Sequence, residues 1–124
     1  IYRSEDKNET WVIFDFKDFM IQLESYSIKS QKIQGWKNYH NLRNWNLEVS
    51  EDKSNWILVD THKDDSRLNG NDLVANFQID NNNFYRYVRL RIIGKNWEKE
   101  DSNWSQKYAI SLNMIEFFGK LKRS

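Results

Sequence analysis

Apolar and polar residues alternate with a period of two along most of this chain, and nowhere with the sustained 3.6 period of an amphipathic helix. Trp45, Leu47 and Val49 alternate with Asn46, Glu48 and Ser50, as in a strand with one buried face. Phe84, Val88, Leu90 and Ile92 alternate with Tyr85, Tyr87, Arg89 and Arg91, and only Arg86 interrupts the apolar side. Tyr108, Ile110, Leu112 and Met114 share one face, whereas Ile115 and Phe117 fall on the other. Such a change of parity predicts a bulge or a switch of packing face. Further strands are expected at 11–16, 21–29, 56–61 and 74–79, and the polar run from Ser50 to Asn55 reads as a hairpin connection. At least seven short strands without a good helix predict an all-β antiparallel sandwich or barrel. The expected core is Trp45, Leu47, Val49, Val88, Leu90, Ile92, Leu112 and Phe117.

A length of 124 residues suits one domain, and 1–124 is read as such. Proline is absent and no composition shift or repeat marks a linker. Lys plus Arg is 19 and Asp plus Glu is 18, so a net charge of +1 argues against duplex DNA or an acidic membrane as partner. Without cysteine there is no disulfide framework, zinc ribbon or thiol nucleophile, and the composition suits the cytoplasm. The longest apolar runs, Trp11–Phe14 and Trp56–Val59, are four residues long, too short for a transmembrane or signal segment. The chain begins at Ile1, which predicts a domain excised from a longer protein of unspecified oligomeric state.

Six segments in order resemble the coagulation-factor 5/8 type C, or discoidin-like, domains, which are galactose-binding-like jelly rolls. They are Trp11-Val12-Ile13-Phe14-Asp15-Phe16-Lys17, Ser25 to Ser30, Asn44 to Ser50 with Asn55-Trp56, Ser66 to Gly70, Phe84 to Leu90, and Ile115 to Gly119. The likeness is to a cysteine-free intracellular branch often attached to BTB or other interaction domains. It implies an antiparallel jelly-roll β-sandwich. It leaves the family's first strand without a counterpart, so 1–10 reads as the remnant of a first loop. It also implies a ligand site on loops at one end of the sandwich. Carried over by position, those loops are the segment with Tyr2 and Arg3, the run Gln31–Arg43, and Asp64–Asp72.

Candidate chemistry is sparse. The two histidines, His40 and His62, lie in no metal-binding or protease spacing, and the chain is read as no enzyme. His62 is expected to end a strand and face water. Asp60, Asp64, Asp65, Asn69 and Asp72 carry enough oxygens for a structural Ca²⁺, yet lack the order of an EF-hand loop. The favoured reading is therefore a solvated acidic loop turned by Asn69-Gly70, with neither metal nor cofactor. Arg89 and Arg91 share a face with Tyr85 and Tyr87, an RNA-like arrangement that the balanced charge disfavours. Trp36, Tyr39, His40 and Arg43 lie in a polar, aperiodic run, where an aromatic either folds back or meets a partner. Trp97 and Trp104 stand in a similar run. The ligand-binding candidates are thus Trp36, Tyr39, His40, Arg43, Tyr2, Arg3, Asp64, Asp65, Asn69 and Asp72. The expected function is a non-catalytic module recognising a protein partner, with a glycan stacked on an aromatic as the alternative.

Overall fold

Alternating sequences fold into strands because each can bury one face against a second sheet. The computed structural model describes residues 2–3, 10–30, 41–70, 72–96, 111–112 and 114–124, with the backbone alone at 2, 3, 111 and 112. The elements are β1 (Tyr2–Arg3), β2 (Trp11–Asp15), β3 (Phe19–Lys29), β4 (Trp45–Ser50), β5 (Ile57–His62), β6 (Val74–Gln78), β7 (Tyr87–Ile92), β8 (Ser111–Leu112) and β9 (Met114–Arg123). Among the described residues there is no helix. A four-stranded sheet in the order β2-β7-β4-β5 and a three-stranded sheet in the order β6-β3-β9 form the two layers. A small third pairing joins β1 to β8, and every pairing is antiparallel. Residues 1–10, expected as a loop remnant, therefore contribute a short strand, with Tyr2 opposite Leu112.

The core lies between the two larger sheets. Trp45, Leu47, Val49, Val88, Leu90 and Ile92 are buried as expected, and Phe117 is half-buried against them. The side chain of Leu112 lies outside the described residues. The three-stranded sheet answers with Ile21, Leu23, Tyr26 and Ile28, whose inward parity changes at a bulge between Leu23 and Ser25. The parity change in the C-terminal stretch falls where the chain passes from β8 to β9, and Met114 is exposed while Ile115 packs on the core.

Strand direction defines two poles. At one, Trp45 pairs with His62 and Ile92, and β3 ends at Lys29 opposite Val74 and Met114. At the other, Ser50 pairs with Tyr87, Asp15 with Tyr87, and β3 begins opposite Arg123. There, Ile21 and Tyr85 exchange backbone hydrogen bonds of 2.8 and 2.9 Å, tying the two sheets together. That bridge takes buried Tyr85 off the expected face of Tyr87, Arg89 and Arg91. Arg89 and Arg91 both reach Glu48, at 2.9 and 3.7 Å, and Arg89 stacks over Trp56 at 4.2 Å. These arginines cover the sheet surface.

Candidate functional site

At the first pole, three connections are knotted by polar side chains. Asn44, just before β4, donates from Nδ2 to the Lys95 carbonyl and accepts from the Asp64 N–H, both at 2.8 Å. The Asp65 N–H donates to the Arg43 carbonyl at 3.0 Å, and the Arg43 guanidinium pairs with the Asp64 carboxylate. Asp64 is largely exposed and holds a left-handed backbone at φ 53°. Further along, Asn41 and Ser30 both donate to the Gly70 carbonyl, at 2.9 and 2.7 Å. Asp72, at φ 58°, pairs with Lys29 at 3.2 Å. Among the described residues of this loop the left-handed positions are Asp64 and Asp72, and the expected Asn69-Gly70 turn is replaced by an Asn69 N–H to Ser66 carbonyl bond. Short acidic side chains tolerate that backbone region better than most.

Behind the pole sits a polar network on an aromatic floor. The Tyr26 hydroxyl donates to Asp60 Oδ2 at 2.7 Å and accepts from Trp45 Nε1 at 2.9 Å. His62 places one ring nitrogen 2.8 Å from Asp60 and the other 2.9 Å from Asp65, while its ring stacks on Trp45 at 4.5 Å. A cationic ring donates to both carboxylates, a neutral one to one of them. The expectation that His62 faces water is therefore corrected. Its side chain is only 15% exposed, held by Trp45, Phe77 and two carboxylates. Arg67 covers the Phe77 ring at 4.4 Å and pairs with Asp65 at 2.6 Å. That guanidinium holds the Asp65 carboxyl down at about 2, against some opposition from burial. Burial pushes the Tyr26 hydroxyl far above the ordinary phenol range. Asp60 moves below the usual carboxylate range, because the bonds from His62 and Tyr26 outweigh desolvation.

The acidic residues considered for Ca²⁺ are thus engaged with cations and N–H groups. Among the described residues no group of three or more His, Cys, Asp or Glu is placed to hold a metal ion. Of the ligand-binding candidates, the structure joins Arg43, Asp64 and Asp65 directly, and sets Asn69 and Asp72 in the same loop. Tyr2 and Arg3 pair with β8 through their backbone, and their side chains lie outside the described residues. Trp36, Tyr39, His40, Trp97 and Trp104 lie outside the described residues.

No family model matches the chain. The lectin domain of lectinolysin, solved with Lewis B antigen, superposes with a TM-score of 0.65 at 13% identity, over 95% of this chain and 70% of that one. The CBM32-3 module of a family 31 glycoside hydrolase from Clostridium perfringens gives 0.63 at 17% identity, over 97% and 72%. A fucose binding module from Streptococcus pneumoniae gives 0.63 at 13%, over 95% and 69%. The fold is the antiparallel jelly-roll β-sandwich of these modules. In sequence, the chain is 27% identical over 122 residues to the E3 ubiquitin-protein ligase Ufd4 of Drosophila melanogaster. That match covers 95% of this chain and 4% of the ligase.

Sequence reasoning missed the role of Asp60, His62 and Arg67 in fastening the loop. A signal existed in the spacing Asp60-x-His62-x-x-Asp65-x-Arg67, which alternates acid and base from a strand end into a turn. It was hidden because Tyr26 and Trp45, which complete the network, come from strands distant in sequence.

Proposed function

We propose that this domain is a non-catalytic binding module, and that the loop pole formed by 41–44 and 63–72 takes a carbohydrate. One observation carries the reading. The Arg43–Asp64 pair stands at the solvent face of a loop fastened by many side-chain and backbone bonds, some of them part-buried, so planar polar groups are presented on a rigid support. Carboxylate and guanidinium edges suit adjacent sugar hydroxyls. The sugar-named solved modules with this fold support a glycan more than the protein partner that the sequence put first. His62 is a poor catalytic base, since both of its ring nitrogens face carboxylates. Trp36, Tyr39 and His40 are the stacking anchors of this reading, with Tyr2 and Arg3 as flanking contacts.

A protein partner is the second reading. It is favoured by the similarity to a ubiquitin ligase and by a cysteine-free composition suited to the cytoplasm. A glycan array probed with the domain and with Trp36→Ala and Arg43→Ala variants tests the first. Binding to a defined subset of glycans is expected, weakened about thirtyfold by Trp36→Ala with an unchanged melting temperature; that factor is about 2 kcal/mol. Silence across the array from a folded domain overturns the carbohydrate reading in favour of the protein one.

A further inference from the structure

The opposite pole carries a cleft of about 510 Å³, within the range of small-molecule sites (roughly 300–1,000 Å³). One wall is the β4–β5 hairpin, which Asp52 locks. Its Oδ1 accepts the Ser54 and Asn55 N–H groups at 2.8 Å each, and its Oδ2 accepts Asn55 Nδ2 at 2.9 Å. Ser50 closes the same turn by accepting the Lys53 N–H at 3.0 Å, and Lys53 holds φ at 66°. The other wall is the crossing from β6 to β7. It is fixed by Asn81, which donates to the Leu23 and Asn83 carbonyls at 3.3 and 3.1 Å, and by the Ile21–Tyr85 bridge. Both walls are therefore built before any ligand arrives.

The groups facing this cleft are largely unspent. Glu51, Asn82 and Asn83 line it, are exposed, and have no side-chain hydrogen bond among the described residues. Asn82 and Asn83 each offer an amide with two donors and an acceptor, and Glu51 offers a carboxylate. Half-buried Phe84 and Met20 supply apolar surface, with Lys122 lying 4.6 Å from the Phe84 ring centroid. Charge narrows the ligand class. The charges of Glu51 and Lys122 offset each other, and the Asp52 carboxylate, still ionised, accepts donors of its own turn, so the lining carries a small net negative charge. What remains for a ligand is a slightly acidic cleft of planar amides beside an aromatic ring, which fits a neutral polyhydroxylated ring better than an anion.

We propose that this cleft is a second carbohydrate site, at the pole opposite the loops. It rests on the carbohydrate reading for its ligand class but on none of the same residues. The test is an NMR titration of the folded domain with fucose, galactose and N-acetylglucosamine, each alone, followed at assigned backbone amides. Saturable shifts at 51–57 and 82–85 are expected with at least one sugar. The Glu51→Ala/Asn82→Ala double variant should weaken binding there about tenfold or more while leaving shifts at 41–44 and 63–72 unchanged. Shifts confined to the loop pole overturn the second site and leave the proposed function standing. Shifts at the cleft that the double variant does not weaken overturn it as well. No shifts at either pole overturn both.

Discussion

Asp65 concentrates the electrostatics of the loop pole in one carboxylate. Arg67 donates to it from side chain and backbone, and His62 faces it from β5. Its carboxyl is held at about 2 against an ordinary value of 3.8. A folded value below the unfolded one gives stability that is present above the unfolded value and lost as pH falls through the folded one. For Asp65 the window therefore runs from about 3.8 down to about 2. Asp65→Asn should lower stability at neutral pH and flatten its loss across that acid window, as read by urea unfolding at a series of pH values. A variant with the parent's full acid slope would show that other carboxylates carry the effect. Little of this was legible in the sequence. The acidic loop was visible as composition, but its partners depend on which strand ends meet in space, and His62 was accordingly misplaced in water.

At the scale of elements, the alternation rule reads single strands well and pairs of strands poorly. It correctly located β4 and β7 and their buried faces, because both run through the middle of the four-stranded sheet. It missed the bulge in β3, although the signal was there: Ile21 and Leu23 point inward on odd positions, Tyr26 and Ile28 on even ones. The extra residue at Glu24 makes room for both sets by bringing β9 unusually close. A Cβ on Gly119 would lie 2.0 Å from the Gln22 carbonyl oxygen and 3.2 Å from the Glu24 nitrogen, backbone atoms that cannot yield. Gly119→Ala should therefore cost about 1–3 kcal/mol or more in chemical denaturation. Gly70→Ala should cost less, since its Cβ would meet a Leu73 methyl at 2.8 Å, the movable end of a side chain. Equal losses would mean that β9 shifts away without penalty and that the close pairing is dispensable.

For the whole molecule, the question is whether the fold sets the two poles independently. Strand β4 spans six residues between them, about 20 Å at the rise of an extended chain. Sites so far apart and without shared partners usually respond additively. Ser30 probes this, because it is buried at the end of β3 and serves one pole only. Its hydroxyl donates to the Gly70 carbonyl at 2.7 Å and accepts the Leu73 N–H at 2.8 Å, while its own N–H donates to the Leu73 carbonyl at 2.8 Å. Ser30→Ala leaves the part-buried Leu73 N–H without its acceptor, a loss of about 1 kcal/mol. Hydrogen exchange should then quicken at the Leu73 amide well before it quickens in β4 or β7. The glycan binding proposed for 41–44 and 63–72 should weaken, because the loop loses its preorganisation. The sugar-induced shifts proposed for 51–57 and 82–85 should not change. If both sets of shifts weaken together, the jelly roll transmits strain from pole to pole and the two ends form one cooperative unit.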